Sequence, residues 1–150
     1  RGHMYMGQQY LNEGLDQKAL NEYQTALGLN PAEPGANNAI GVIYAKQQQL
    51  FKAENAFRKE LQQHPDSLDA MVNLSRIAFI FKRYEQAEKR LKQTIEKNDR
   101  YRKGYENLIL YYLNRNQREA AKYYFDIIVS KNLTIDPRIK GMMEGARARN

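Results

Sequence analysis

Alanine stands at positions 19, 53, 87 and 121, a constant step of 34 residues, and four further columns keep that step. Gly7, Gly41, Ser75 and Ile109 form one, Tyr10, Tyr44, Ala78 and Tyr112 a second, and Tyr23, Phe57, Leu91 and Phe125 a third. The last, Pro31 and Pro65, lapses into Asp99 and Leu133. A period of this length makes the chain a tandem array of one supersecondary unit, in which each unit buries against its neighbours a face it cannot bury alone.

Both halves of the unit read as helix. Apolar residues fall three or four apart, as in Ala87, Leu91, Thr94 and Ile95, which is the stripe of a helix buried on one side. Breakers stand where turns are needed, at Asn12-Glu13-Gly14, Asn30-Pro31, Pro34-Gly35, His64-Pro65-Asp66 and Asn114-Arg115-Asn116. The spacing predicts helices over 4–13, 17–29, 35–47, 51–63, 69–81, 85–97, 102–114 and 118–130. A small residue in the Gly7 column facing the Ala19 column is expected to let two antiparallel helices approach closely, with the aromatic columns filling the space between hairpins.

These columns resemble the tetratricopeptide repeat family, whose small, Tyr, Ala, aromatic and Pro positions are matched most fully by Gly41, Tyr44, Ala53, Phe57 and Pro65. The resemblance covers residues 4–135. It implies an all-α chain, a right-handed α-solenoid of four helix-turn-helix repeats at 5–33, 34–67, 68–101 and 102–135, followed by a C-terminal capping helix over 136–150. The third repeat departs from the pattern at Ser75 and Ala78, and the fourth at Ile109, where the bulk predicts a splayed or rotated hairpin. Pentatricopeptide repeats, the RNA-reading relatives of similar length, lack this combination of small and Tyr columns.

The ends of the chain read differently. Asp136-Pro137 has the form of an N-cap with proline at the first helical position, and Ile139, Met142, Met143 and Ala146 make an apolar stripe. Arg138, Lys140, Glu144, Arg147 and Arg149 would supply the polar outer face of a cap, although the same segment also reads as the start of a further repeat. Arg1-Gly2-His3-Met4 reads as the remnant of a cleaved expression tag.

Chemistry has little to work with. No cysteine is present, and neither His3 nor His64 sits in a ligand pair, so neither a metal nor a nucleophilic site is expected, and no cofactor. Glu54 and Glu60, and Glu85 and Glu88, read as surface carboxylates paired along helices. The reading is therefore of a protein without enzymatic activity, and compartment is left open between cytoplasm and periplasm. Charge is uneven: residues 1–81 carry seven Lys/Arg against eight Asp/Glu, and residues 82–150 carry seventeen against nine.

In the family, the first helix of each repeat lines a concave face that receives an extended peptide or a partner helix. The resemblance places Asn38, Val42, Val72, Asn73, Arg76, Phe79, Ile80, Lys103, Asn107, Leu110 and Leu113 on that face. The apolar members would meet water there, and an exposed apolar surface of this kind marks a binding site. Asn73 and Asn107, one repeat apart, would pair with the partner's backbone. The two-carboxylate clamp of chaperone-tail binders is matched at Asn73 and Lys103 but not at Asn38, Val42 and Asn107, which disfavours that ligand. The function read from these residues is a protein-interaction scaffold. The alternative is binding of nucleic acid or an acidic surface through the basic patch Lys97, Arg100, Arg102 and Lys103 together with Arg115 and Arg118, Tyr101 and Tyr105 serving as stacking groups. Nucleic acid is the disfavoured partner of the two. Self-association through the aromatic terminal repeat, with Tyr111, Tyr112, Tyr123 and Tyr124, is a further partner mode.

Overall fold

The computed structural model describes residues 2–148, with side chains through residue 145. Those residues form nine α-helices and no strand: α1 Gly2–Asn12, α2 Asp16–Leu29, α3 Ala36–Lys46, α4 Leu50–Gln63, α5 Leu68–Ile80, α6 Tyr84–Lys97, α7 Arg102–Asn114, α8 Arg118–Ser130 and α9 Pro137–Ala148. Each of the first eight begins and ends within two residues of the position the 34-residue period predicts. Gly2, His3 and Met4 belong to α1, and Met4 packs on the core. Ala146 and Arg147 lie outside the described side chains, and Arg149 outside the described residues.

One local device builds every hairpin. Gly14, Gln48, Lys82 and Asn116, again 34 residues apart, all adopt positive φ, at 77°, 63°, 61° and 58°. The next residue's N–H then reaches back to a carbonyl five residues earlier, as Leu15 does to Tyr10, Gln49 to Tyr44, Arg83 to Ala78 and Gln117 to Tyr112, each at 2.8 Å. This left-handed closure satisfies carbonyls that the end of the first helix would otherwise leave bare. Only the first repeat meets the requirement with glycine.

The residues divide into two compact units, Arg1–Ile77 and Ala78–Asn150. In the first, Ala19, Leu20, Tyr23, Ile40, Ile43 and Ala56 form a buried cluster, onto which Met4, Tyr10, Leu11 and Tyr44 pack. Ala19 and Ala53 are wholly buried, but the glycines one column over serve a different purpose from the expected helix-to-alanine contact. A Cβ on Gly7 would lie 2.7 Å from the Tyr23 ring, and one on Gly41 would overlap the ring of Phe57. The small column makes room for the aromatic column of the second helix in the same hairpin, and burying each ring contributes about 2–3 kcal/mol.

Glu60 corrects the surface reading. It is 2% exposed, its Oε2 accepting from the Gly35 N–H at 3.0 Å and its Oε1 from the Asn38 N–H at 3.1 Å. Gly35 is the N-cap of α3, a position where glycine offers no side-chain acceptor, so a carboxylate from α4 performs the capping and places negative charge at the positive end of α3. Glu54, in contrast, pairs with Arg58 at 3.4 Å on the helix surface.

In the second unit Leu108, Ile109 and Ile128 are wholly buried; of the apolar stripe read on α9, Ile139 and Met143 are buried with them, whereas Met142 is 47% exposed. Three phenols are anchored: Tyr105 donates to the Asp99 carbonyl at 2.7 Å, Tyr111 to the Tyr84 carbonyl at 3.2 Å, and Tyr112 to the Glu88 carboxylate at 2.5 Å. Burial raises the Tyr112 phenol far above its usual range, and the hydrogen bond and charge of Glu88 raise it further. Asp136 caps α9 as its sequence implies, its Oδ1 accepting from the Arg138 N–H at 2.8 Å.

Candidate functional site

The first-helix positions form one set in each unit. In the first unit Asn38, Val42, Asn73 and Arg76 are half-buried or exposed on α3 and α5. Asn73 Nδ2 donates to Asn38 Oδ1 at 2.9 Å, linking the first helices of successive hairpins. Glu60, by fixing the Asn38 backbone, holds that amide pair in place. Val72 does not belong with them: it is 4% exposed, turned into the interior one position away from Asn73. The family resemblance implied that both share one face, yet adjacent helical residues lie about 100° apart, and the wide apolar stripe of α5 captures Val72. An open cleft of about 530 Å³ adjoins the pair, lined by Pro34, Gly35, Asn38, Glu60, Gln63, His64, Pro65, Asp66, Ser67 and Asp69. His64 is half-buried there, its Nε2 2.9 Å from the Ala32 carbonyl.

In the second unit the corresponding residues are Phe79, Ile80, Lys103, Asn107, Leu110 and Leu113. Phe79 is half-buried, edge-on to Tyr84 and to Tyr111 at centroid distances of 5.3 and 5.8 Å, and the Arg115 guanidinium lies 3.9 Å from the Tyr84 ring. Ile80, the next residue, is 54% exposed. Leu110 and Leu113 are half-buried. Asn107 shares its register with Asn73 but not its bond, since its Nδ2 donates to the Lys103 carbonyl of its own helix at 2.8 Å.

The basic residues gather at the turn between α6 and α7, where Lys97, Arg100, Arg102 and Lys103 are all exposed. Tyr105, expected beside them as a stacking group, is 3% exposed and anchored inside. Of the tyrosines assigned to self-association, Tyr111 and Tyr112 are buried, whereas Tyr123 is 60% exposed and set edge-on to Tyr124. Among the described residues there is no group of three His, Cys, Asp or Glu side chains placed to hold a metal ion, and no helix is long and apolar enough to cross a membrane.

Residues 46–109 match the family model described as tetratricopeptide repeat. The type IV pilus assembly protein PilF of Pseudomonas aeruginosa is 27% identical over 127 residues, which span 83% of this chain but 50% of that protein. The solved structure of that PilF superposes with a TM-score of 0.82 at 24% identity, covering 95% of this chain and 64% of the other. A thermophilic TPR protein in Thermus thermophilus gives a TM-score of 0.79 at 21% identity, with 95% and 78% covered.

Proposed function

We propose, from the premise that residues 46–109 belong to the tetratricopeptide repeat family, that this chain holds an extended segment or a helix of a protein partner against the first helices of its hairpins. Proteins of this family are generally non-enzymatic interaction scaffolds, and the inference from that role to this chain's face is by fold. The supporting observation is the bond between Asn38 and Asn73. It uses one donor of Asn73 and one acceptor site of Asn38, and the functions left over, Asn38 Nδ2 and Asn73 Oδ1, are the donor and acceptor that an extended backbone requires. In the second unit, half-buried Leu110 and Leu113 and exposed Ile80 are the apolar first-helix side chains that could meet a partner's side chain. PilF is by its name an assembly protein, and holding a partner in place is a role of the same kind.

A peptide-library selection against the full chain tests this reading. Selected peptides are expected to lose affinity about tenfold or more with Asn73→Ala or Leu110→Ala, as central contacts of an interface do. Peptides that bind both variants as tightly as the unaltered chain, or that crosslink only to α2, α4, α6 or α8, would refute it.

A further inference from the structure

The first helices of the first three hairpins carry four Asp, Glu, Lys, Arg or His side chains: His3 on α1, Lys46 on α3, and Asp69 and Arg76 on α5. Three of them are engaged. His3 Nδ1 lies 2.6 Å from Glu22 Oε2, Lys46 Nζ donates to Asp16 Oδ1 at 3.0 Å, and Asp69 has a partner within the chain. Arg76 is exposed, and among the described residues its guanidinium has neither an ion pair nor a hydrogen bond.

The ordinary reasons for an arginine on a helix do not account for it. Its neighbours three and four residues away, Val72, Asn73, Phe79 and Ile80, include no carboxylate, so no pair can form along the helix. It stands before the last turn of α5, where a cation would meet the negative end of the helix. Nor does its column call for charge, since Val42 and Leu110, one period to either side in the sequence, are half-buried aliphatic residues. What does lie beside it is Asn73, one turn back and about 4.5 Å along the helix axis, bonded to Asn38. The carboxylates on the other side of that pair are spent: Glu60 accepts from the Gly35 and Asn38 N–H groups, and Asp69 stands two turns from Arg76, about 10 Å along the axis, with its own partner.

We propose that the segment held by the Asn38 and Asn73 amides carries an aspartate or glutamate side chain that Arg76 receives. This rests on the first-helix reading above and adds the partner's charge and the place of that charge. The guanidinium is a planar fork of donors that meets a carboxylate through two parallel hydrogen bonds. An extended chain advances about 3.3 Å per residue, so a segment pinned at the asparagines brings its acid to Arg76 from within about two residues of the pinned peptide, toward the C-terminal end of α5. The acid is a side chain rather than a chain end, because Asn38 Nδ2 and Asn73 Oδ1 call for both a carbonyl and an N–H of a backbone that passes along the face.

Selection of N-acetylated, C-amidated peptides on the full chain, followed by fluorescence anisotropy titration, tests it, since side chains are then the only carboxylates on offer. Asp or Glu is expected to be enriched at one peptide position, and its change to Asn or Gln to weaken binding about tenfold at about 100 mM salt and by less at about 500 mM. Arg76→Gln is expected to bring the same loss, and on that variant the peptide's acid should no longer matter; Arg76→Glu is expected to select Lys or Arg at the same position. Circular dichroism verifies that both variants remain helical, and should Arg76→Glu unfold, the cycle between Arg76→Gln and the neutralised peptide decides alone. The proposal is overturned by selected peptides without an acidic preference, by an acid whose loss costs as much on Arg76→Gln as on the unaltered chain, or by a parallel selection of uncapped peptides that bind only through a free C-terminal carboxylate. In each of those outcomes a loss of affinity with Asn73→Ala leaves the first-helix reading standing, whereas peptides indifferent to both Asn73→Ala and Arg76→Gln overturn the two together.

Discussion

The ring of Phe57 fills the space in which a side chain on Gly41 would begin. Both residues are buried, so the overlap cannot be relieved by turning toward water. Gly41→Ala gains about 1 kcal/mol in helix propensity and loses about 1–3 kcal/mol to overpacking, so a net loss is expected. The third repeat carries Ser75 and Leu91 in these two columns, a larger first residue with a smaller second one. Gly41→Ser combined with Phe57→Leu should therefore cost less than the sum of the single changes, by about 1 kcal/mol, in a double-mutant cycle read by chemical denaturation.

Glu60 supplies the second prediction. Its removal leaves the Gly35 and Asn38 N–H groups without their acceptor in a part-buried site. Hydrogen bonds to a charged group contribute about 1.5–3 kcal/mol, so Glu60→Ala should cost about 3 kcal/mol. Glu60→Gln, which keeps one carbonyl acceptor, should cost less. Amide hydrogen exchange at Gly35 and Asn38 should accelerate in both variants ahead of the rest of the first unit, and unchanged protection there would show that the cap is dispensable.

The left-handed turn residue offers a stabilising change. Lys82 is exposed with φ of 61°, a conformation that strains a residue bearing a Cβ and suits glycine. Lys82→Gly should raise stability by about 0.5 kcal/mol, the relief of strain being partly offset by the freedom glycine gains when unfolded. Gly14→Ala, the reverse case at the same column, should lower it by about 1 kcal/mol. Thermal melting of the two variants is expected to shift in opposite directions.

The repeat register was legible because Ala19, Ala53, Ala87 and Ala121 leave only one period to choose from, and helix ends follow from the period once one hairpin is placed. What escaped was tertiary. Gln48 and Lys82 occupy a left-handed turn that neither residue type announces, held there by the closing bonds from the Gln49 N–H to the Tyr44 carbonyl and from the Arg83 N–H to the Ala78 carbonyl. Glu60 looks like any helix-surface carboxylate until α3 is brought against α4 with Gly35, which has no capping side chain, at its start. Val72 and Asn73 separate because one residue of rotation on α5 divides interior from surface, a finer distinction than a column of residue types carries.

Alkaline pH should act first on the second unit. Burial is the largest cause raising the phenols of Tyr105, Tyr111, Tyr112 and Tyr124, all in that unit, while Tyr23 is raised in the first. A group whose folded value is raised contributes stability that is fully present below its unfolded value, near pH 10, and is lost as pH climbs above it. Stability is therefore expected to hold to about pH 9 and to fall through pH 10–11, with exchange protection lost in α7 before α3. Tyr112→Phe, which cannot ionise, should soften the fall although it forfeits the bond to Glu88, and an equally steep fall in that variant would place the alkaline response elsewhere.

Phe79 and Ile80 are neighbours with opposite tasks. Phe79 sits edge-on to two tyrosines, each such pair contributing about 0.5–1.5 kcal/mol beyond its area, so Phe79→Ala should lower stability by about 2–3 kcal/mol. Ile80 is 54% exposed, and Ile80→Ser should change stability by less than about 0.5 kcal/mol, as surface substitutions do. If the first helices hold a partner, Ile80→Ser should nevertheless weaken a selected peptide about tenfold, because an exposed branched side chain on that face gains its burial only in the complex. Melting and peptide titration on the same two proteins separate packing from recognition. A large stability loss in Ile80→Ser would mean that the end of α5 is core, and unchanged peptide affinity in a well-folded Ile80→Ser protein would remove that end from the binding face.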